Sequence, residues 1–128
     1  MTAEGFAPLV VVEEQRRDGW RLVVARLARR PRGQGNRVQV SFDYRGIYRL
    51  EDRTGTVTGF FHTHPPGMLA MSGTDVKTMR GWTAALGKPL LCVIRSGEAS
   101  AAWEFAAGAA PRRAELASVA GNLVVAVV

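Results

Sequence analysis

Alternating apolar and polar positions mark most of this chain as strand. "PLVVVEEQ" (8–15) and "WRLVVARLA" (20–28) are β-branched runs on either side of the charged turn "RRDG", a pattern that predicts a hairpin. "NRVQVSFDY" (36–44) alternates cleanly and predicts a third strand, whereas "GIYRLEDRTG" (46–55) fits a short strand or a helical turn equally well. "TVTGFFHTH" (56–64) is a strand that ends at Pro65 and Pro66, because proline has no N–H to give to a ladder. From Ser72 to Leu86 the period becomes helical: Val76, Met79, Trp82 or Thr83, and Leu86 share one face. Ser72 is a natural N-cap, Asp75 lies in the first turn where a carboxylate meets the positive end of the helix dipole, and Gly87 stops the helix. "KPLLCVIRS" (88–96) predicts a buried strand and "ASAAWEFAA" (99–107) another. "PRRAELASVAG" (111–121) predicts a short helix before a last strand, "NLVVAVV" (122–128). The order predicts a mixed α/β sheet, and no Gly-rich turn after the first strand points to a Rossmann unit.

Length changes this picture little: 128 residues suit one domain spanning 1–128. No apolar run reaches the ~18 residues a membrane span needs, and the first residues lack the pattern of a secretory signal. A soluble, cytoplasmic protein without a membrane partner is therefore expected. The single cysteine, Cys92, sits in an apolar run, which excludes an intrachain disulfide and a cysteine-rich zinc knuckle and predicts a buried thiol. The net charge of +6 comes from 17 basic residues, all but two of them arginine. They are densest in "RLARRPRGQGNR" (26–37), which reads as a solvated loop. No helix-turn-helix, RRM or zinc-finger pattern accompanies it, so nucleic acid is not an expected partner. Trp82 and Trp103 are expected in the core.

The chemistry concentrates in "GFFHTHPPGMLAMSGTD" (59–75). Side chains alternate along a strand, so His62 and His64 share a face and can reach one ion. The proline break and the Ser72 cap allow the chain to reverse and bring Asp75 back beneath them. Two imidazoles and one carboxylate suit Zn²⁺ with a fourth position open for water, the pattern of a catalytic site.

"HTHP", seven residues after the second histidine to Ser72, and two more to Asp75 together resemble the JAMM signature, H-x-H-x7-S-x2-D. That signature marks the MPN/JAB family of zinc metalloproteases, and the chain is most similar to its prokaryotic, deubiquitinase-like branch. The preceding "VTGFF" and the following "KPLLCVI" also resemble that family's strands. The resemblance implies an MPN/JAB (cytidine-deaminase-like) fold, a mixed curved β-sheet flanked by helices. It implies His62, His64 and Asp75 as zinc ligands and Ser72 as support for the tetrahedral oxyanion as well as helix cap. It further implies an upstream glutamate as general base. "EGFAPLVVV" offers Glu4, with Ala7 where the family has a small residue and Pro8 where it has an apolar one; Glu13 and Glu14, beside the hairpin turn, are the alternatives.

The activity implied is hydrolysis of an amide or isopeptide bond at the C-terminal tail of a ubiquitin-like or sulfur-carrier protein, with E1- or E2-like proteins as further partners. The extended tail is expected to lie along a strand edge by β-augmentation. Two alternatives share the motif: a scaffold that keeps the ligands without the base, and a hydrolase of small amides or peptides.

Overall fold

The computed structural model describes residues 6–28 and 44–128. Glu4, most of the arginine-rich stretch, and the strand expected over 36–44 up to residue 43 lie outside the described residues. The elements, in chain order, are β1 (Phe6–Arg17), β2 (Trp20–Leu27), α1 (Tyr44–Thr54), β3 (Val57–His64), α2 (Gly73–Leu86), β4 (Leu90–Ser96), β5 (Ala99–Phe105), β6 (Arg112–Ala120) and β7 (Leu123–Val127). The predicted hairpin, the strand ending at His64, the capped helix and the two strands after it all form. The undecided stretch at 46–55 is helical because Ile47 and Leu50, three residues apart, turn to the same apolar layer.

The expected α/β sheet flanked by helices is overturned. The seven strands close into a barrel in the order β1-β2-β7-β6-β5-β4-β3. Every neighbouring pair is antiparallel except β3 with β4. Two features of the chain produce this outcome. The segment expected as a helix at 111–121 is β6: its Ala114 faces the interior, and the two-residue link at Gly121–Asn122 folds it back on the valine-rich β7. Tertiary pairing thus overrides the helix propensity of an Ala/Glu/Leu segment. β7 then pairs along β2, from Leu22↔Val127 to Arg26↔Leu123, and that ladder closes the wall.

The wall separates two apolar layers. Inside the barrel, Leu9, Val23, Phe61, Leu91, Val93 and Val124 form one cluster. Outside it, Val10, Phe60, Cys92, Ile94 and Phe105 are covered by Ile47 of α1 and by Met79 and Trp82 of α2. Both helices thus pack on one side of the barrel, where the Tyr48 and Trp82 rings meet at 5.1 Å. Trp82 is core, as expected, while Trp103 is only half-buried beneath the Arg113 guanidinium. Gly59 matters to the one parallel ladder, because a Cβ there would overlap the backbone oxygen of Leu91.

Candidate metal centre

Alternation along β3 decides where the histidines point. Phe61 faces the barrel interior, whereas Phe60 is in the layer beneath the helices. His62 and His64, in phase with Phe60, therefore face that outer layer, and both are buried. After β3, Pro65–Met68 form a tight turn and the chain returns to the Ser72 cap. That cap is a complete capping box: Ser72 Oγ accepts from Asp75 N and Asp75 Oδ2 accepts from Ser72 N, each at 3.0 Å. The box fixes the Asp75 carboxylate at the helix N-terminus and turns it toward β3.

Asp75 Oδ1 lies 3.6 Å from His62 Nδ1, and Asp75 Oδ2 lies 3.2 Å from His64 Nε2. One ligand atom from each of the three residues falls within 4.8 Å of the others. Ligand atoms about 2.0–2.1 Å from a tetrahedral zinc stand roughly 3.3 Å apart, so both measured separations are close to a zinc edge. His64 Nδ1 lies 2.8 Å from the Met68 carbonyl oxygen, which can only accept. The ring proton therefore sits on Nδ1, and the Nε2 lone pair faces a carboxylate oxygen. Two facing acceptors repel unless a proton or a metal ion lies between them.

His62 contributes through its dry surroundings. The edge-on Phe6 ring packs at 4.8 Å, and His62 Nε2 has no hydrogen-bond partner among the described residues. Burial lowers the His62 pKa to about 4, against the pull of Asp75 and with help from His64. The neutral, metal-competent imidazole thus prevails at neutral pH. The donor set, the Nδ1–H tautomer of His64 and the neutral His62 ring fit a zinc ion.

The structure brings together His62, His64, Asp75 and Ser72. Ser72 is exposed, and its cap uses an oxygen lone pair, which leaves the hydroxyl proton available for a ligand. Glu4 lies outside the described residues; in the sequence it stands two positions before Phe6, whose ladder partner is His62. Glu13 and Glu14 stand away from the three-residue cluster. They lie in the exposed half of β1, seven and eight residues beyond Phe6, or more than ~20 Å along an extended strand. Glu14 pairs there with Arg16 and Arg21, and Glu13 accepts from Gln15. Cys92 is buried, as expected, and burial, with Asp75 nearby, pushes its thiol far up, out of reactive range.

Comparison with protein-family models, with curated proteins and with solved structures found no match.

Sequence reasoning passed over two neighbours of the histidines. Phe6 supplies the apolar wall beside His62. Ser96 ends a buried run in phase with Cys92 and Ile94, and a buried hydroxyl at that phase was the available signal.

Among the described residues, no helix is long and apolar enough to cross a membrane.

Proposed function

We propose that the chain is a JAMM-type zinc hydrolase that cleaves an amide or isopeptide bond. The observation that carries this reading is the convergence of His62, His64 and Asp75 within 4.8 Å in a buried seam between the barrel and α2. These three residues would hold the ion. A zinc ion held there would supply Lewis acidity, to polarise the scissile carbonyl and acidify a water molecule.

The remaining work falls to the chain. Ser72 donates its free hydroxyl proton to the oxygen that gains negative charge in the transition state. Glu4, two residues along the chain from the ring that packs on His62, takes a proton from the attacking water and passes it to the departing amine. Phe6 and Phe60, stacked at 5.0 Å, keep water away from the buried side of His62.

The substrate proposed is the C-terminal tail of a ubiquitin-like or sulfur-carrier protein, attached to a conjugate or a precursor, with E1- or E2-like proteins in the same system. Among the described residues, closure of the barrel gives every strand two neighbours, so no open sheet edge runs the length of a strand there. The tail would approach across the rim where β3 ends, next to the Pro65–Met68 turn.

The test combines zinc analysis of the purified chain with cleavage of a ubiquitin-like protein carrying a C-terminal fusion. About one zinc per chain is expected, with His64→Ala losing both the metal and the cleavage. A chain that carries no zinc, or that cleaves equally well as His64→Ala, would overturn the proposal. Bound zinc without cleavage of the fusion, or of small amides, would favour the scaffold reading.

A further inference from the structure

We infer that Ser96 is a positioning residue of the metal centre, acting on His64 through the Pro65–Met68 turn; this rests on the reading of His62, His64 and Asp75 as ligands. Ser96 is the last residue of β4 and stands opposite His64 in the parallel ladder. It is 4% exposed, so its hydroxyl needs protein partners. It has two, both in the turn: Oγ donates to the Pro65 carbonyl at 2.7 Å and accepts from Met68 N at 3.0 Å. The turn's own bond, Met68 N to Pro65 O, is longer at 3.2 Å. Pro66 supplies the fixed φ of the first central position, and Gly67, at φ +85°, the left-handed second one, which makes this a type II turn. The Ser96 hydroxyl thus spans the mouth of the turn and ties both of its ends to β4.

What the turn holds in place is the Met68 carbonyl, 2.8 Å from His64 Nδ1. That contact puts the ring proton on Nδ1 and aims the Nε2 lone pair at Asp75. Without the Ser96 hydroxyl the turn keeps only its longer bond, and the Met68 carbonyl is free to rotate away from the ring. His64 then samples the other tautomer, whose Nε2 carries a proton and cannot ligate.

Ser96→Ala, Ser96→Thr and Gly67→Ala in the full chain test this. Gly67 is exposed and a Cβ there meets nothing within 4 Å, so Gly67→Ala strains only the turn and gives a second route if Ser96→Ala fails to fold. Long-range ¹⁵N NMR of the metal-free protein is expected to show His64 as a single Nδ1–H tautomer in the parent and in Ser96→Thr. Ser96→Ala and Gly67→Ala should give mixed tautomers. Zinc affinity, measured by competition with a chromophoric chelator, should fall about 10- to 100-fold in the latter two and recover in Ser96→Thr. A parent that binds zinc, with Ser96→Ala unchanged in tautomer and affinity, overturns the role of Ser96 alone. A parent that binds no zinc overturns the ligand reading and this inference with it.

Discussion

The two apolar layers on either side of the barrel wall do different work. The interior cluster is built from aliphatic side chains around Phe61, and none of the buried polar side chains among the described residues shares its face. The outer layer, beneath α1 and α2, contains His62, His64 and Asp75 at one end. An interior of this kind can be optimised for packing alone. The outer layer must leave polar atoms dry but reachable, and it does so where the strand ends and a helix begins. The apolar interior and the buried polar cluster are thus divided by a sheet one residue thick, with neighbouring residues of β3 serving each in turn.

The largest stability effect should come from the interior. Phe61→Ala is expected to cost about 3–5 kcal/mol in urea unfolding, through lost transfer free energy and a cavity the closed wall cannot collapse around. If the barrel lost less than about 1 kcal/mol, the interior would not be the stability-bearing layer.

The outer layer should reveal itself through pH. The folded-state pKa of His62 is held at about 4, below the ~6.5 of an unfolded chain. The unfolded state therefore binds the extra proton between those values. His62's contribution is complete above pH 6.5 and is lost as the pH falls toward 4, a decline of at most about 3 kcal/mol. Unfolding of the metal-free protein across that window should show the slope, and His62→Leu should flatten it. An equal slope in His62→Leu would mean that another group carries the acid sensitivity.

The smallest stability effect is expected at Ser72, on the exposed rim of the outer layer. Ser72→Ala removes the cap and should cost about 1 kcal/mol, and Ser72→Gly only a few tenths. If Ser72 also supports the oxyanion, both variants should lose ~10²–10³-fold in kcat, far more than the stability change accounts for. A kcat within about twofold of the parent in both would reduce Ser72 to a cap.

Much of this arrangement was legible in the residues because it is local. The period-2 pattern of β3 puts both histidines on one face, and Ser72 with Asp75 three positions later is a capping signal whether or not a metal is present. What was not legible depends on distant partners. "AELASVA" favours a helix by itself and becomes β6 because β5 and β7 need a neighbour between them. Closure needs β2 to meet β7 about a hundred residues along the chain, and no pattern within either strand announces that. The second contact of His64 was hidden for another reason: its partner is a backbone carbonyl, which residue identity does not reveal.

Cys92 lies on the outer layer opposite Phe60 in the β3–β4 ladder, with its thiol fully covered. It is also the chain's sole cysteine, so a thiol reagent has a single address. Its rate of modification under native conditions therefore reports how often the layer that covers it opens. The molecule carries its own clock for the opening of the layer that holds His62, His64 and Asp75.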